Sequence, residues 1–289
     1  MANTRISFTG NTLKWIAIIT MVIDHIGAAI LEQVLTVHTD TMAGDTYTAL
    51  LYLDEVMRAI GRLAMPLFVF LLVEGFSYTR SRLKYLLRLL IFCFISEVPF
   101  DLAFYLRDAQ IAGGSWYNHN GQNVFFTLTI GFAAMLLIDC ILRMRFTPQR
   151  QISLEKEAPG DGQAVTIERF LEDTGIVRAV KVIICIAVAV FFILLAQILN
   201  ADYLGFGVLA ILLAYVARMR LPAVAVMGIL VVPLVFMDSL EAVGFVDILF
   251  IWLYNGRKGR SGWKWFFYIF YPAHLMVLFL IRYLTGIAM

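Results

Sequence analysis

AIITMVIDHIGAAI, residues 17–30, is an apolar run with Asp24 and His25 side by side near its middle. Extended to residues 13–35, it is long enough to cross the roughly 30 Å hydrocarbon core of a bilayer. An Asp at the centre of a membrane helix costs about 2.5–3.5 kcal/mol on insertion scales, so a chain that keeps one there has a use for it.

The rest of the chain has the same character. Apolar residues make up 61% of its 289 positions and charged residues 15%, against roughly 25% charge in soluble domains. The apolar residues fall in long runs between short polar loops, which predicts an all-α, polytopic membrane bundle and not a barrel. Nine spans are expected, at 13–35, 56–78, 85–106, 123–142, 178–199, 203–217, 221–237, 242–255 and 264–284. Placed this way, 19 of the 23 basic residues collect on one side. The opposite loops carry Asp40, Asp45, Asp54, Glu55, Asp108, Asp202, Asp238 and Glu241. The positive-inside rule makes the basic side cytoplasmic, with the N-terminus inside and the protein integral to the cytoplasmic membrane. A net charge of +2 gives no reason to expect a nucleic-acid partner. Cys93, Cys140 and Cys185 lie in apolar runs, which argues against a disulfide framework. The first run is too long, and too charged at its centre, for a cleavable signal. The whole chain, 1–289, reads as one transmembrane domain. Within it, residues 146–177 form a cytoplasmic linker, their TIERFLEDTG segment a short helix stopped by Gly175.

Counting about 1.5 Å per helical residue from the nearest basic anchor puts His25, His274 and Asp247 close to one depth, near the midplane. Glu97 comes slightly higher, Glu74 near the cytoplasmic rim, and Arg62 and Asp101 towards the outer face. Ionised groups at membrane depth must meet one another or line a hydrated cavity. Such a cavity suits a membrane-embedded transferase or a proton-coupled transporter, since imidazole takes and releases a proton near neutral pH. Plain structural roles compete with this reading. His274 alone can be a satisfied core residue. Asp54, Arg58 and Arg62 share a helix face and form a ladder of the ordinary i, i+4 kind. Glu97 and Asp101 flank Pro99 in SEVPFD, where the proline bends the helix with or without a site. Arg80, Arg82, Lys84 and Arg88 can bind a polyphosphate at a helix start, yet topology alone explains basic residues there. No metal site is expected.

The motifs LKWIAIITMVIDHIG, IGRLAMPLFVFLLVEGFSYTRSRLKYLLRLL, SEVPFDLAF, QNVFFTLTIG and FFYIFYPAHLMVLFLI resemble the TraX family of membrane proteins. They run in register from Leu13 to Ile281. That family takes its name from a member associated with N-terminal acetylation of conjugative pilin. In layout it is similar to the transmembrane acyltransferases, including acyltransferase family 3 and the heparan glucosaminide acetyltransferase group. The resemblance implies an acetyltransferase using cytoplasmic acetyl-CoA as donor. Its acceptor would be an amine or hydroxyl on pilin, a glycan or a lipid headgroup. The essential first-helix histidine of that group falls on His25. FVFLLVEGF resembles the segment ending the second helix there, with Glu74 standing where those proteins carry Ser. Arg80, Lys84 and Arg88 align loosely with donor-side arginines, at a spacing that does not reproduce that motif. On this reading His25 is the base, Asp24 or Asp247 holds its tautomer, and Arg62 stabilises the acceptor side. The alternatives are a proton-coupled transporter and a non-enzymatic assembly factor for surface structures.

Overall fold

The computed structural model describes residues 7–105, 121–144, 175–259 and 264–286. Helices account for nearly all of them. Beside the helices stand two isolated bridges, Phe8 with Tyr254 and Gln122 with Ala201.

The chain begins with α1 (Gly10–Ile26), a single π-helical turn (Gly27–Leu31) and α2 (Glu32–His38), which follow one another without a break. Thr9 starts α1 through a capping box: its hydroxyl accepts the Thr12 N–H at 3.2 Å, and the Thr12 hydroxyl accepts the Thr9 N–H. Next come α3 (Gly44–Gly61), α4 (Ala64–Tyr78), α5 (Arg82–Phe104) and α6 (Val124–Arg143). They are followed by α7 (Gly175–Ile198), α8 (Leu204–Arg218) and α9 (Ala223–Met237). A 3₁₀ helix (Ser239–Val246), the two-turn α10 (Asp247–Trp252) and α11 (Lys264–Thr285) complete the order.

Five helical stretches are long and apolar enough to cross a membrane: Gly10–His38, Gly44–Tyr78, Val124–Arg143, Gly175–Ile198 and Trp265–Thr285. α5 has the length, but Arg82, Lys84, Arg88, Glu97 and Asp101 dilute its apolar character. α8 and α9 are apolar but only 15 residues each, or about 22 Å. α7 shows what the bundle's surface is made for. It buries only Lys181 and Ala196, and Ile176, Ile183, Ile186, Phe191 and Ile198 stand exposed around it. A helix apolar on its outward faces is satisfied by lipid and not by water.

Three expected boundaries change. The second span was placed at 56–78; the helix starts at Gly44 and is interrupted at Arg62–Leu63, so α3 and α4 are separate rods. The 242–255 span is a 3₁₀ helix followed by six α-helical residues. Asp238 caps the 3₁₀ helix, accepting the Leu240 N–H at 3.0 Å. Gly244 lies so close to Pro66 that a Cβ there would be 2.9 Å from its ring. Gly175, expected to stop a helix, opens α7, while residues 146–174 of the expected linker lie outside the described residues.

α1 packs on α3 and α4, α5 on α6 and α11, α6 on α7 and α8, and α9 on α8. Phe76 anchors the interior, edge-on to Phe132 at 5.2 Å and to Tyr215 at 5.4 Å. The connections sort polar residues to two ends. Arg82, Arg143 and Arg218, with Tyr254, mark a basic end. Asp202, Asp238 and Glu241, with Gln122 and Arg62, mark the other.

Candidate functional site

The site is assembled around α1. His25 stands on its last turn, immediately before the π-helical turn, a distortion frequent at functional sites. His25 Nδ1 lies 2.6 Å from His274 Nε2 on α11, and the two rings are nearly parallel. His274 Nδ1 lies 3.0 Å from the Phe270 carbonyl oxygen. A carbonyl only accepts, so His274 carries its proton on Nδ1 and in the neutral ring offers Nε2 as an acceptor. His25 therefore donates from Nδ1, and its own Nε2 keeps a lone pair. A chain of two bonds, ending on one backbone carbonyl, thus fixes the tautomer of His25. Phe104 and Tyr271 pack edge-on against its ring.

His25 borders a cavity of about 360 Å³, whose polar lining is Asp24, Glu32, Gln33, Arg58, Arg62, Asp202 and Tyr203. Met65, Phe68, Phe100 and Phe104 supply apolar wall. The Asp24 side chain is engaged by a different helix from the one that holds His25. It forms an ion pair with Arg58 at 2.9 Å, its side chain seated on Gly61, where a Cβ would come within 2.2 Å of it. Arg62 occupies the break between α3 and α4 and reaches Glu241 at 3.1 Å and Asp238 at 3.7 Å. Both guanidiniums are thereby held in place on the wall of the cavity that His25 borders.

The structure thus unites Asp24, His25, Arg58, Arg62 and, through His25, His274. The other expected site residues lie elsewhere. Asp247, offered as the group holding the His25 tautomer, is fully buried on α10, with no hydrogen-bond partner for either oxygen among the described residues and no place in the cavity lining. His274 takes the role assigned to Asp24 or Asp247. Glu97 accepts the backbone N–H of Asn123 at 3.3 Å and, more closely, its side-chain amide, so it supports the start of α6. Asp101 is fully buried near the far end of α5 and does not line the cavity. Glu74 is paired with Arg218 and accepts from the Tyr254 hydroxyl at 3.3 Å, at the basic end. Arg80 and Lys84 are exposed at the start of α5, and Arg88 lies over the Tyr85 ring. None of these four lines the cavity.

The basic end contains a second cluster that the sequence did not single out. Asp139 is bound by Arg82 at 2.5 Å, by Arg143 at 2.6 Å and by the Tyr215 hydroxyl at 3.2 Å. The i, i+4 spacing of Asp139 and Arg143 was the available signal. Arg82 also lies over the Phe76 ring, its guanidinium carbon 4.2 Å from the centroid. Among the described residues, no group of three His, Cys, Asp or Glu is placed to hold a metal ion.

The family model of the TraX protein matches residues 9–147 and 170–282, which include every residue of this site. The chain belongs to the TraX family. It is 29% identical over 289 residues to the probable fimbrial assembly protein FimC, serogroup H1, of Dichelobacter nodosus, covering 94% of this chain and 95% of that relative. No solved structure matches. The unmatched residues 148–169 of this TraX-family chain fall in the segment read as a linker.

Proposed function

We propose that this TraX-family membrane protein is an acyltransferase serving fimbrial or pilus assembly, with His25 as its general base. The observation that carries the reading is the chain from the Phe270 carbonyl through His274 to His25, which leaves one basic nitrogen on a ring bordering a polar cavity. A base of this kind removes a proton from an acceptor amine or hydroxyl as it attacks an acyl thioester. The new bond forms to the acyl carbon, and Arg58 and Arg62 stand where charge developing on the carbonyl oxygen is stabilised. The carbon–sulfur bond then breaks, and His25 returns the proton to the departing thiolate. The name of the Dichelobacter nodosus relative supports an acceptor that belongs to a fimbrial structure.

Acetyl-CoA is the donor this reading names, delivered from the cytoplasm. Arg80, Lys84 and Arg88 supply positive charge for its phosphates at the basic end, outside the cavity that His25 borders. Asp247, a buried carboxyl without a hydrogen-bond partner among the described residues, favours a second reading as a proton-coupled transporter. Purified protein given acetyl-CoA and a fimbrial-subunit acceptor separates the two. Acyl transfer that His25→Ala abolishes in a folded protein supports the transferase. Undiminished transfer in that variant removes His25 from the mechanism. Uptake driven by a pH gradient, without acetyl-CoA turnover, selects the transporter.

A further inference from the structure

The 3₁₀ helix between α9 and α10 runs for eight residues, Ser239–Val246, against about three or four in most such runs. At three residues per turn, Glu241, Gly244 and Asp247 fall in one row, and all three are buried. The first two are held in place. Glu241 meets the Arg62 guanidinium at 3.1 Å, and Gly244 fits against Pro66, where a Cβ would come within 2.9 Å of the ring. Asp247 ends the row as the first residue of α10. It is fully buried, and neither of its oxygens has a hydrogen-bond partner among the described residues.

The surroundings give that carboxyl no charge to pair with. α10 packs chiefly on α9 and on the 3₁₀ helix, and Phe8 meets it at Phe250. α9 carries no titratable residue, and Asp247 is the only one on α10. On the 3₁₀ side, Asp238 and Glu241 are both engaged by Arg62. An ionised carboxylate is not sustained in such a place, so the side chain sits there as the neutral acid. The packing does not need it, since an apolar residue of its size would leave no hydrogen bond unmade.

The winding of the run decides where the acid points. Six residues on from Glu241, a 3₁₀ helix has made two full turns and risen about 12 Å, which leaves the two side chains in line. Wound as an α-helix, the same residues rise about 9 Å and fall short of two turns by about 120°. With Glu241 anchored on Arg62, rewinding swings Asp247 out of the buried row and draws it about 3 Å towards the acidic end. Hydrogen-bond geometry favours the α form, so the packing of the row is what holds the run as 3₁₀. We infer that Asp247 is a proton-binding site that controls the winding of this stretch. With its proton on, it completes the row; with the proton lost, the run rewinds and the carboxylate leaves. A group that ionises only in the rewound form favours that form as the pH rises, by up to about 10-fold per pH unit for one proton. The switch stands apart from both readings of the function.

The test is a distance measurement on the full-length protein in lipid nanodiscs. Spin labels are attached at Leu194→Cys on α7 and Trp252→Cys on α10, both exposed positions, with Cys93, Cys140 and Cys185 replaced by Ser. From about pH 5 to about pH 10, protein with Asp247 should show two distances, the second gaining on the first by up to about 10-fold per pH unit. Asp247→Asn and Asp247→Leu should keep the first distance throughout. The leucine variant removes an unmade hydrogen bond, so it carries the comparison where the asparagine variant does not fold. One unchanging distance in protein with Asp247 overturns the switch. A pH-dependent shift that survives in Asp247→Leu does so too.

Discussion

Gly61 has no side chain because Asp24 occupies that space. A methyl group there would sit within 2.4 Å of three Asp24 atoms, and neither helix backbone yields easily. Gly61→Ala is expected to destabilise the protein by about 1–3 kcal/mol, seen in thermal denaturation, and to separate Asp24 from Arg58. His274 acts through His25 and is a positioning residue. His274→Phe keeps an aromatic ring beside Phe270 but removes the acceptor for His25 Nδ1. Turnover should fall about 10- to 100-fold and the pH–rate profile should move, whereas a purely packing role would leave the profile unchanged.

Among the elements, the start of α6 illustrates how a charged residue in an apolar run can be structural. Asn123 caps the helix, its Oδ1 accepting the Phe125 N–H at 3.0 Å, while its amide donates to the Cys93 carbonyl at 2.8 Å and to Glu97. Asn123→Ala removes the cap and strips Glu97 of its donor in one step. A loss of about 2–4 kcal/mol follows, measurable by denaturant or thermal unfolding. The break between α3 and α4 is different in kind. It places Arg62 at a helix end, where its guanidinium reaches the 3₁₀ helix carrying Glu241. The π-helical turn does the same service for α1: it changes the helix phase right after His25, before Glu32 and Gln33 reach the same cavity.

For the whole molecule, the two polar ends have separate duties. The basic end is a set of ties between helices: Glu74 on α4 with Arg218 on α8, and Asp139 on α6 with Arg82 on α5. Glu74→Gln weakens the first of these, and with Arg218 partly open to solvent the cost is about 1–3 kcal/mol. Because the pair lies outside the cavity, acyl transfer by the folded variant should be unchanged; a loss would show that the ends communicate. Orientation is testable independently. Single cysteines at positions 40 and 238 are expected to react from the side opposite those at 82 and 220 in intact cells. Labelling of all four from one side would contradict the charge-based topology.

Composition and the spacing of apolar runs determined that this is a helical membrane protein, because lipid demands internal backbone bonding and apolar surface whatever the details of packing. The motifs around His25 determined the family. Polar residues in apolar runs, Asp24, His25, Arg58, Arg62 and His274 among them, were legible as candidates because burying them is costly. Their pairing was not. Helical depth is one coordinate, and it placed Asp247 level with His25 and Glu97 only slightly higher, although they face other neighbours around the bundle. Only the tertiary structure, which fixes the rotation of each helix as well as its height, decided that His274 and not a carboxylate holds His25. Packing also drew Asp202 from an ordinary loop into the cavity wall, through contacts with Gln122, Thr127 and Gln197 that no local pattern encodes.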